Sequence, residues 1–236
     1  MQVILTRPEG ENEALAERLI GHEVLTLPLI QLSELPLSEV MKKTVTDLDL
    51  FDEIIFVSKS AVRHAMPLLD SYWPQWPLKL KWLAVGESTA AQLEPFGVHP
   101  SYPLQPGSEG LLALPELSEV DRHRILISRG RGGRELLASE LGRRGARVEY
   151  LETYERVALK QPGLAGIQEG AVLVVTSAEI LESAITQLAG CEKTMQVVVP
   201  SERIESIARD RGFPNVINAR GASEQALYDA VMSCNR

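Results

Sequence analysis

Short apolar runs punctuate the chain. Nearly every one is followed by a small polar residue and then by apolar residues spaced three and four apart. Val3-Ile4-Leu5 leads into a helical pattern over 11–20 with Ala14, Leu15 and Leu19 on one face, and Glu23–Leu29 reads as the next strand. Glu53-Ile54-Ile55-Phe56-Val57 leads into a helix after Ser58. Leu83-Ala84-Val85 leads into Gly86 and a helix after Ser88, and Ile125-Leu126-Ile127 into a Gly/Arg-rich loop and a helix near 134–143. Arg147–Tyr154 is a strand, Ala171–Val175 precedes a helix near 178–188, and Val197–Val199 precedes a helix near 201–210. Strands that are apolar at every position are covered on both faces, and their alternation with helices predicts parallel sheets in an α/β protein.

The same units occur twice. Val3-Ile-Leu-Thr-Arg-Pro resembles Arg124-Ile-Leu-Ile-Ser-Arg-Gly, and Phe56-Val-Ser-Lys-Ser-Ala-Val resembles Val174-Val-Thr-Ser-Ala-Glu-Ile. Leu83-Ala-Val-Gly-Glu-Ser-Thr resembles Val197-Val-Val-Pro-Ser-Glu-Arg, and Gly107-Ser-Glu-Gly-Leu-Leu resembles Gly221-Ala-Ser-Glu-Gln-Ala-Leu. One copy is split and the other lies inside it. The order predicts two similar parallel-sheet domains, one inserted into the other. Residues 1–30 and 160–236 form the discontinuous first domain and 36–151 the second, with extended crossings at 29–36 and 151–160. A ligand is expected in a cleft of such a pair.

Charge narrows what that ligand is. The 236-residue chain carries formal charge −8, yet residues 122–147 hold eight arginines against two glutamates, a local +6 that leaves −14 elsewhere. The acidic bulk field argues against nucleic-acid partners, and a local basic patch predicts a specific anionic small molecule. Arg143, Arg144 and Arg147 sit at a helix end and beyond, where cations suit the helix dipole. Arg129, Arg131 and Arg134 instead lie at a strand-to-helix turn. No apolar run is long enough to cross a membrane. The opening MQVILTRPEG lacks the basic region and cleavage site of a secretory signal, so a cytoplasmic protein is expected. Cys191 and Cys234 show neither metal spacing nor a disulfide framework, and the four histidines offer no ligand pair at helical spacing, so no metal is expected.

In open parallel sheets, ligands sit beyond the carboxyl ends of the strands. The residues there are Thr6, Arg7, Ser58, Lys59, Ser60, Gly86, Ser88, Thr89, Arg129, Gly130, Arg131, Arg134, Thr176, Ser177 and Ser201. Each Ser or Thr of the set is also a plausible N-cap. A capped helix start presents free backbone N–H groups suited to a carboxylate or phosphate, so the two roles are compatible. ISRGRGGREL is no nucleotide fingerprint, because Glu135 stands where a third glycine is required, and no P-loop is present. No Ser-His-Asp or Cys-His arrangement and no carboxylate pair stands out. The chain is rich in anion-binding groups and poor in reactive ones.

These stretches together resemble the uroporphyrinogen-III synthase family over the whole chain. The resemblance rests on ILTRP, FVSKSAV, AVGESTAAQLEPFGV, PGSEGLL, ISRGRGGREL, YLETYERV, VPSERIESIARDRGF and GASEQAL, in this order and spacing. It implies flavodoxin-like domains and a cofactor-free lyase of tetrapyrrole synthesis. The substrate would be hydroxymethylbilane, a linear tetrapyrrole with eight carboxylates, closed with ring D inverted and water lost. It further implies a monomer without nucleic-acid or membrane partners. Tyr154 in ETYERV matches a family tyrosine expected to hydrogen-bond the departing hydroxyl, or else to pack in the cleft wall. Thr89 in GESTA matches a family hydroxyl. The matching turn of the other copy reads Val199-Pro200-Ser201-Glu202-Arg203, which departs from the family's Gly and Thr. Two other readings compete: a cytoplasmic two-lobed binding module for an anionic small molecule, and a nucleotide-dependent transferase, against which the absent phosphate fingerprint counts.

Overall fold

A computed structural model describes residues 1–133, 135–163, 167–188 and 193–234. The chain forms two units, Met1–Leu32 with Val157–Arg236, and Ser33–Arg156.

The first unit is built on β1 (Gln2–Leu5), β2 (Glu23–Thr26), β8 (Val172–Val174), β9 (Gln196–Val199) and β10 (Asn215–Asn218). They run in the order β10-β9-β8-β1-β2, and every neighbouring pair is parallel. Side chains alternate between two cores. Ile4, Leu173, Val197 and Val199 pack with Ile180, Leu181 and Ala184 of α7 (Ala178–Gln187) and Ile204 and Ala208 of α8 (Glu202–Asp210). Val3, Leu5, Val172, Val174 and Val198 pack with Leu15 of α1 (Glu13–Arg18) and with Leu227 and Val231 of α9 (Glu224–Ser233). The uniformly apolar runs are therefore central strands with both faces covered.

The second unit orders its strands β3-β7-β6-β4-β5, with β3 (Ile30–Glu34), β4 (Glu53–Phe56), β5 (Lys81–Ala84), β6 (Arg124–Gly130) and β7 (Arg147–Ala158). β7, β6, β4 and β5 are parallel, and a parallel bridge from Leu83 to Ser101 adds a minimal strand beyond β5. Both units thus follow one plan, β7-β6-β4-β5 matching β2-β1-β8-β9. Ile55, Leu83, Ile125 and Ile127 pack against Leu111 of α5 (Ser108–Leu112) and Leu137 and Leu141 of α6 (Leu136–Arg143). α3 (Lys59–Tyr72) packs on β4 and β6 and buries Ala61, Val62, Ala65 and Leu69.

Several boundaries differ from the sequence reading. The stretches expected as extended crossings contain β3 and the carboxyl part of β7, a strand of 12 residues that begins before the second stretch. β6 does not stop at Ile127 but continues through Ser128 and Arg129 to Gly130, so half of the glycine–arginine stretch is sheet. The helix after Gly86 is α4 (Glu87–Ala90), so Ser88 lies inside it rather than capping it. The sequence reading had no element at α2 (Glu39–Thr46), β10 or α9.

At the amino end of β4 the Glu53 carboxylate is fully buried. Its oxygens lie 3.1 Å from His123 Nδ1, and Oε1 lies 3.2 Å from Lys81 Nζ. Lys81 is half exposed, so solvent screens part of this attraction. Glu53→Gln is expected to lower the unfolding free energy by about 1–3 kcal/mol, the cost of a buried hydrogen-bonding group losing its charged partners. Urea unfolding should show a lower midpoint with an unchanged slope.

Candidate functional site

The second unit holds a cavity of about 600 Å³ at the carboxyl ends of β4, β5, β6 and β7. Its lining includes Val57 and Ser58 after β4, Val85 after β5, Pro106, Gly107 and Ser108 at the start of α5, Arg129 and Gly130 of β6, Gly132 and Gly133, and Tyr154 and Arg156 of β7.

Ser58 forms the N-cap of α3, where its Oγ accepts the Ala61 N–H at 3.0 Å. The same Oγ lies 3.2 Å from Tyr154 Oη. Tyr154 is 1% exposed, and its ring stacks on that of His64, centroids 4.8 Å apart. A register shift places it there. Down the β6–β7 ladder Arg129 faces Glu152, but Gly130 faces Tyr154, so β7 carries Thr153 as one extra residue. Strand side chains alternate faces, and an extra residue re-aims the one that follows it. Without the bulge, Tyr154 would fall on the face of Tyr150 and Glu152. Arg131 N–H donates to Tyr154 O at 2.8 Å and closes the strand pair beyond the bulge.

Arg129 is a buried cation rather than a free arm. Its guanidinium meets Glu152 at 3.0 Å and Glu135 at 2.9 Å, donates to Gly133 O at 3.2 Å, and lies 3.6 Å over the Tyr150 ring. Burial pulls its pKa down, and the hydrogen bonds to Glu135 and Glu152 outweigh that, holding it above the ordinary value. Glu135, hydrogen-bonded by Tyr150 and then by Arg129, is held below the ordinary carboxylate range. Arg129 therefore pins the β6–α6 turn over a cavity wall. Arg131 is exposed and pairs with Glu155 at 3.1 Å. Arg134 lies outside the described residues.

The cavity collects only part of the expected set: Ser58, Arg129, Gly130 and Tyr154. Lys59 is exposed, whereas Ser60 and Thr89 are buried on α3 and α4. Gly86 caps α4 and leaves room for Pro106, whose Cβ would lie 3.0 Å from a Cβ at 86. In the first unit, Thr6 does not present its hydroxyl: it is fully buried and donates to Val174 O at 2.6 Å, tying β1 to β8. The half-buried Arg7 donates to Glu11 O at 3.2 Å and Ala222 O at 3.1 Å. Burial holds the Arg7 pKa below its ordinary value. Ser177 caps α7 through Ile180 N–H at 3.2 Å, Thr176 precedes it half-buried, and Ser201 caps α8 without a side-chain bond. A larger cavity of about 950 Å³ in the first unit, lined by Ile30, Leu159, Pro162 and α7 residues, holds none of the expected residues.

Sequence reasoning missed Pro106, Gly107, Ser108 and Arg156, although PGSEGLL had been read as a repeated unit. Among the described residues, Asp52, Glu53 and His123 bring possible metal-ligand atoms within 4.8 Å of one another. Glu53 is already paired with Lys81, and Asp52 Oδ2 accepts the Arg124 N–H at 2.8 Å, so the group is an ion-pair cluster. No helix among the described residues is long and apolar enough to cross a membrane.

Two mostly parallel five-stranded units on one plan, with hydroxyls, glycines and arginines at one set of strand ends, define an α/β small-molecule protein. A family model described as uroporphyrinogen-III synthase HemD matches residues 12–229. The uroporphyrinogen-III synthase of Salmonella typhimurium is 35% identical, covering 98% of this chain and all of that one. That of Escherichia coli is 33% identical at the same coverage. Solved structures of a mutant uroporphyrinogen III synthase from Thermus thermophilus (TM-score 0.64, 19% identity, covering 100% of this chain and 98% of that one) and of uroporphyrinogen-III synthetase from Helicobacter pylori (0.67, 16%, 99% of each chain) share the fold. The chain belongs to the uroporphyrinogen-III synthase family.

The Arg129 network generates a spectroscopic expectation. Burial, reinforced by the hydrogen bond to Glu135, pushes the Tyr150 phenol up to about 12. A phenol raised above its unfolded value of about 10 adds stability that is fully present below pH ~10 and is lost as pH rises toward 12. Ultraviolet titration should show a tyrosine step about two units late, and Tyr150→Phe should remove that step. If Tyr150→Phe removes no late step, the network does not form.

Proposed function

We propose that the protein is a cofactor-independent lyase that cyclises hydroxymethylbilane to uroporphyrinogen III, with loss of water and inversion of ring D. The observation that carries this reading, beyond family membership, is the Ser58–Tyr154 hydroxyl pair at the wall of the strand-end cavity, 3.2 Å apart. Tyr154 is the donor to the departing hydroxyl. Its proton goes to the terminal hydroxymethyl oxygen, the carbon–oxygen bond breaks, water leaves, and an azafulvenium cation remains. Ring D attacks through its substituted carbon to give a spiro intermediate. Fragmentation and reclosure follow, and the proton released on rearomatisation returns to the phenolate. Atoms and charge balance with one water formed.

The remaining groups hold the octa-anionic chain. The main chain of Gly132 and Gly133, the Ser108 hydroxyl and Arg156 line the cavity and receive carboxylates, with Arg129 fixing the glycine turn. Arg131, Lys59, Arg7, Thr176, Ser177 and Ser201 complete the proposed contacts from the strand ends of their own units. Positioning and electrostatics supply most of the rate, because the azafulvenium, once formed, reacts readily. This reading includes a cytoplasmic monomer without nucleic-acid partners, in keeping with a net charge of −8.

The test is product analysis. Purified protein incubated with hydroxymethylbilane should yield the inverted isomer, resolved by chromatography after oxidation. A protein that binds hydroxymethylbilane but leaves the spontaneous, uninverted product unchanged is a binding module instead. Tyr154→Phe is expected to lower kcat by about 10²-fold, the lower end for a positioned acid. Its product should remain mostly inverted and its thermal stability near wild type. Activity within about twofold of wild type, far below that range, would leave Tyr154 a wall residue.

A further inference from the structure

We propose that Gly130 and His64 are positioning residues that clamp the Tyr154 ring, Gly130 by having no side chain and His64 by stacking. The proposal rests on the reading of Tyr154 as proton donor.

Gly130 is buried at the end of β6, and its backbone is not among those with positive φ, so nothing in its conformation calls for glycine. Space does. A Cβ at 130 would lie 2.6 Å from Cε2, 2.9 Å from Cζ and 3.1 Å from Cδ2 of Tyr154. Carbon atoms in good contact sit about 3.5–4 Å apart, so any side chain must drive the ring off by about 1 Å. The hydroxyl travels with the ring. Its 3.2 Å contact to Ser58 Oγ is already near the upper limit for such a bond, so a shift of that size away from Ser58 breaks it.

The Thr153 bulge brings the ring over Gly130. His64, five residues after Lys59 at the start of α3, stacks on it at 4.8 Å and 26°. The exposed Glu34 carboxylate lies nearby, its Oε1 3.6 Å from Nδ1. Bulge, missing side chain and stacked imidazole thus act on one ring, and that ring ends at the cavity.

Three measurements on the full chain test this. Gly130→Ala should lower kcat by about 10- to 100-fold, the effect of misplacing a reacting group by about 1 Å, with KM within about twofold of wild type. His64→Ala should lower kcat several-fold, and His64→Phe should restore it, because the ring and not its nitrogens is required. In the proton NMR spectrum, the His64 imidazole signal, assigned by its absence in His64→Phe, should be moved upfield by the Tyr154 ring current and return toward its ordinary position in Gly130→Ala. An unmoved signal, or wild-type kcat despite a moved signal, overturns the role of Gly130. Failure of His64→Phe to rescue overturns that of His64, and this arm stands even if Gly130→Ala does not fold. If wild-type protein makes no inverted isomer, the functional reading fails separately. The NMR comparison then still decides whether Gly130 sets the ring.

Discussion

One extra residue in β7 determines where the candidate chemistry sits. Up to Arg129 and Glu152 the β6–β7 ladder is regular, and after it Thr153 is inserted. A strand without that bulge would carry the phenol to the side where Arg129 stacks on Tyr150. With it, the phenol lies over Gly130, beside Ser58 and His64. The hydroxyl cap of α3 and the phenol then form one pair, and the ladder that makes the pair is itself buried and hydrogen-bonded. The bulge therefore needs the rigid parallel sheet on which it is built.

The duplicated plan explains how that site arose on one unit. Both units offer capped helix starts beyond apolar strands, Ser58 for α3 and Ser177 for α7. Only the second adds a phenol at the strand ends. The single tyrosine of the first unit, Tyr228, lies on α9 beneath the Arg18 guanidinium, 4.5 Å from it. The main cavity of the first unit has a largely apolar lining. Anion-binding turns recur wherever the βα plan recurs, whereas a proton donor needs a local departure from the plan.

Legibility in the sequence followed the same division. The central strands were plain because an apolar run such as Val197-Val198-Val199 admits few other fates. That they form two copies of one plan was legible in the repeated motifs. α2 and β10 were not read, because Glu39–Thr46 is dominated by polar residues and Asn215–Asn218 holds two apolar residues between asparagines. Ser58 and Gly130 were read as strand-end residues, and Tyr154 came only through family resemblance. Burial of Arg129 had no local signal, since Glu152 stands 23 residues away and alternating arginine and glycine reads as an exposed loop. The bulge had none either, because inserting Thr153 into Leu151-Glu152-Thr153-Tyr154 leaves no break in the strand pattern.

If the bulge serves to bring Tyr154 to Ser58, the two hydroxyls act as one unit, and a double-mutant cycle on kcat for inverted-isomer formation measures this directly. Ser58→Ala also removes the α3 cap, but that cost is common to both arms and cancels. The account predicts that Ser58→Ala lowers kcat in the wild-type protein by a much larger factor than it does once Tyr154 is phenylalanine. The same factor lost in both backgrounds would contradict it, leaving Ser58 a helix cap that happens to stand beside a tyrosine.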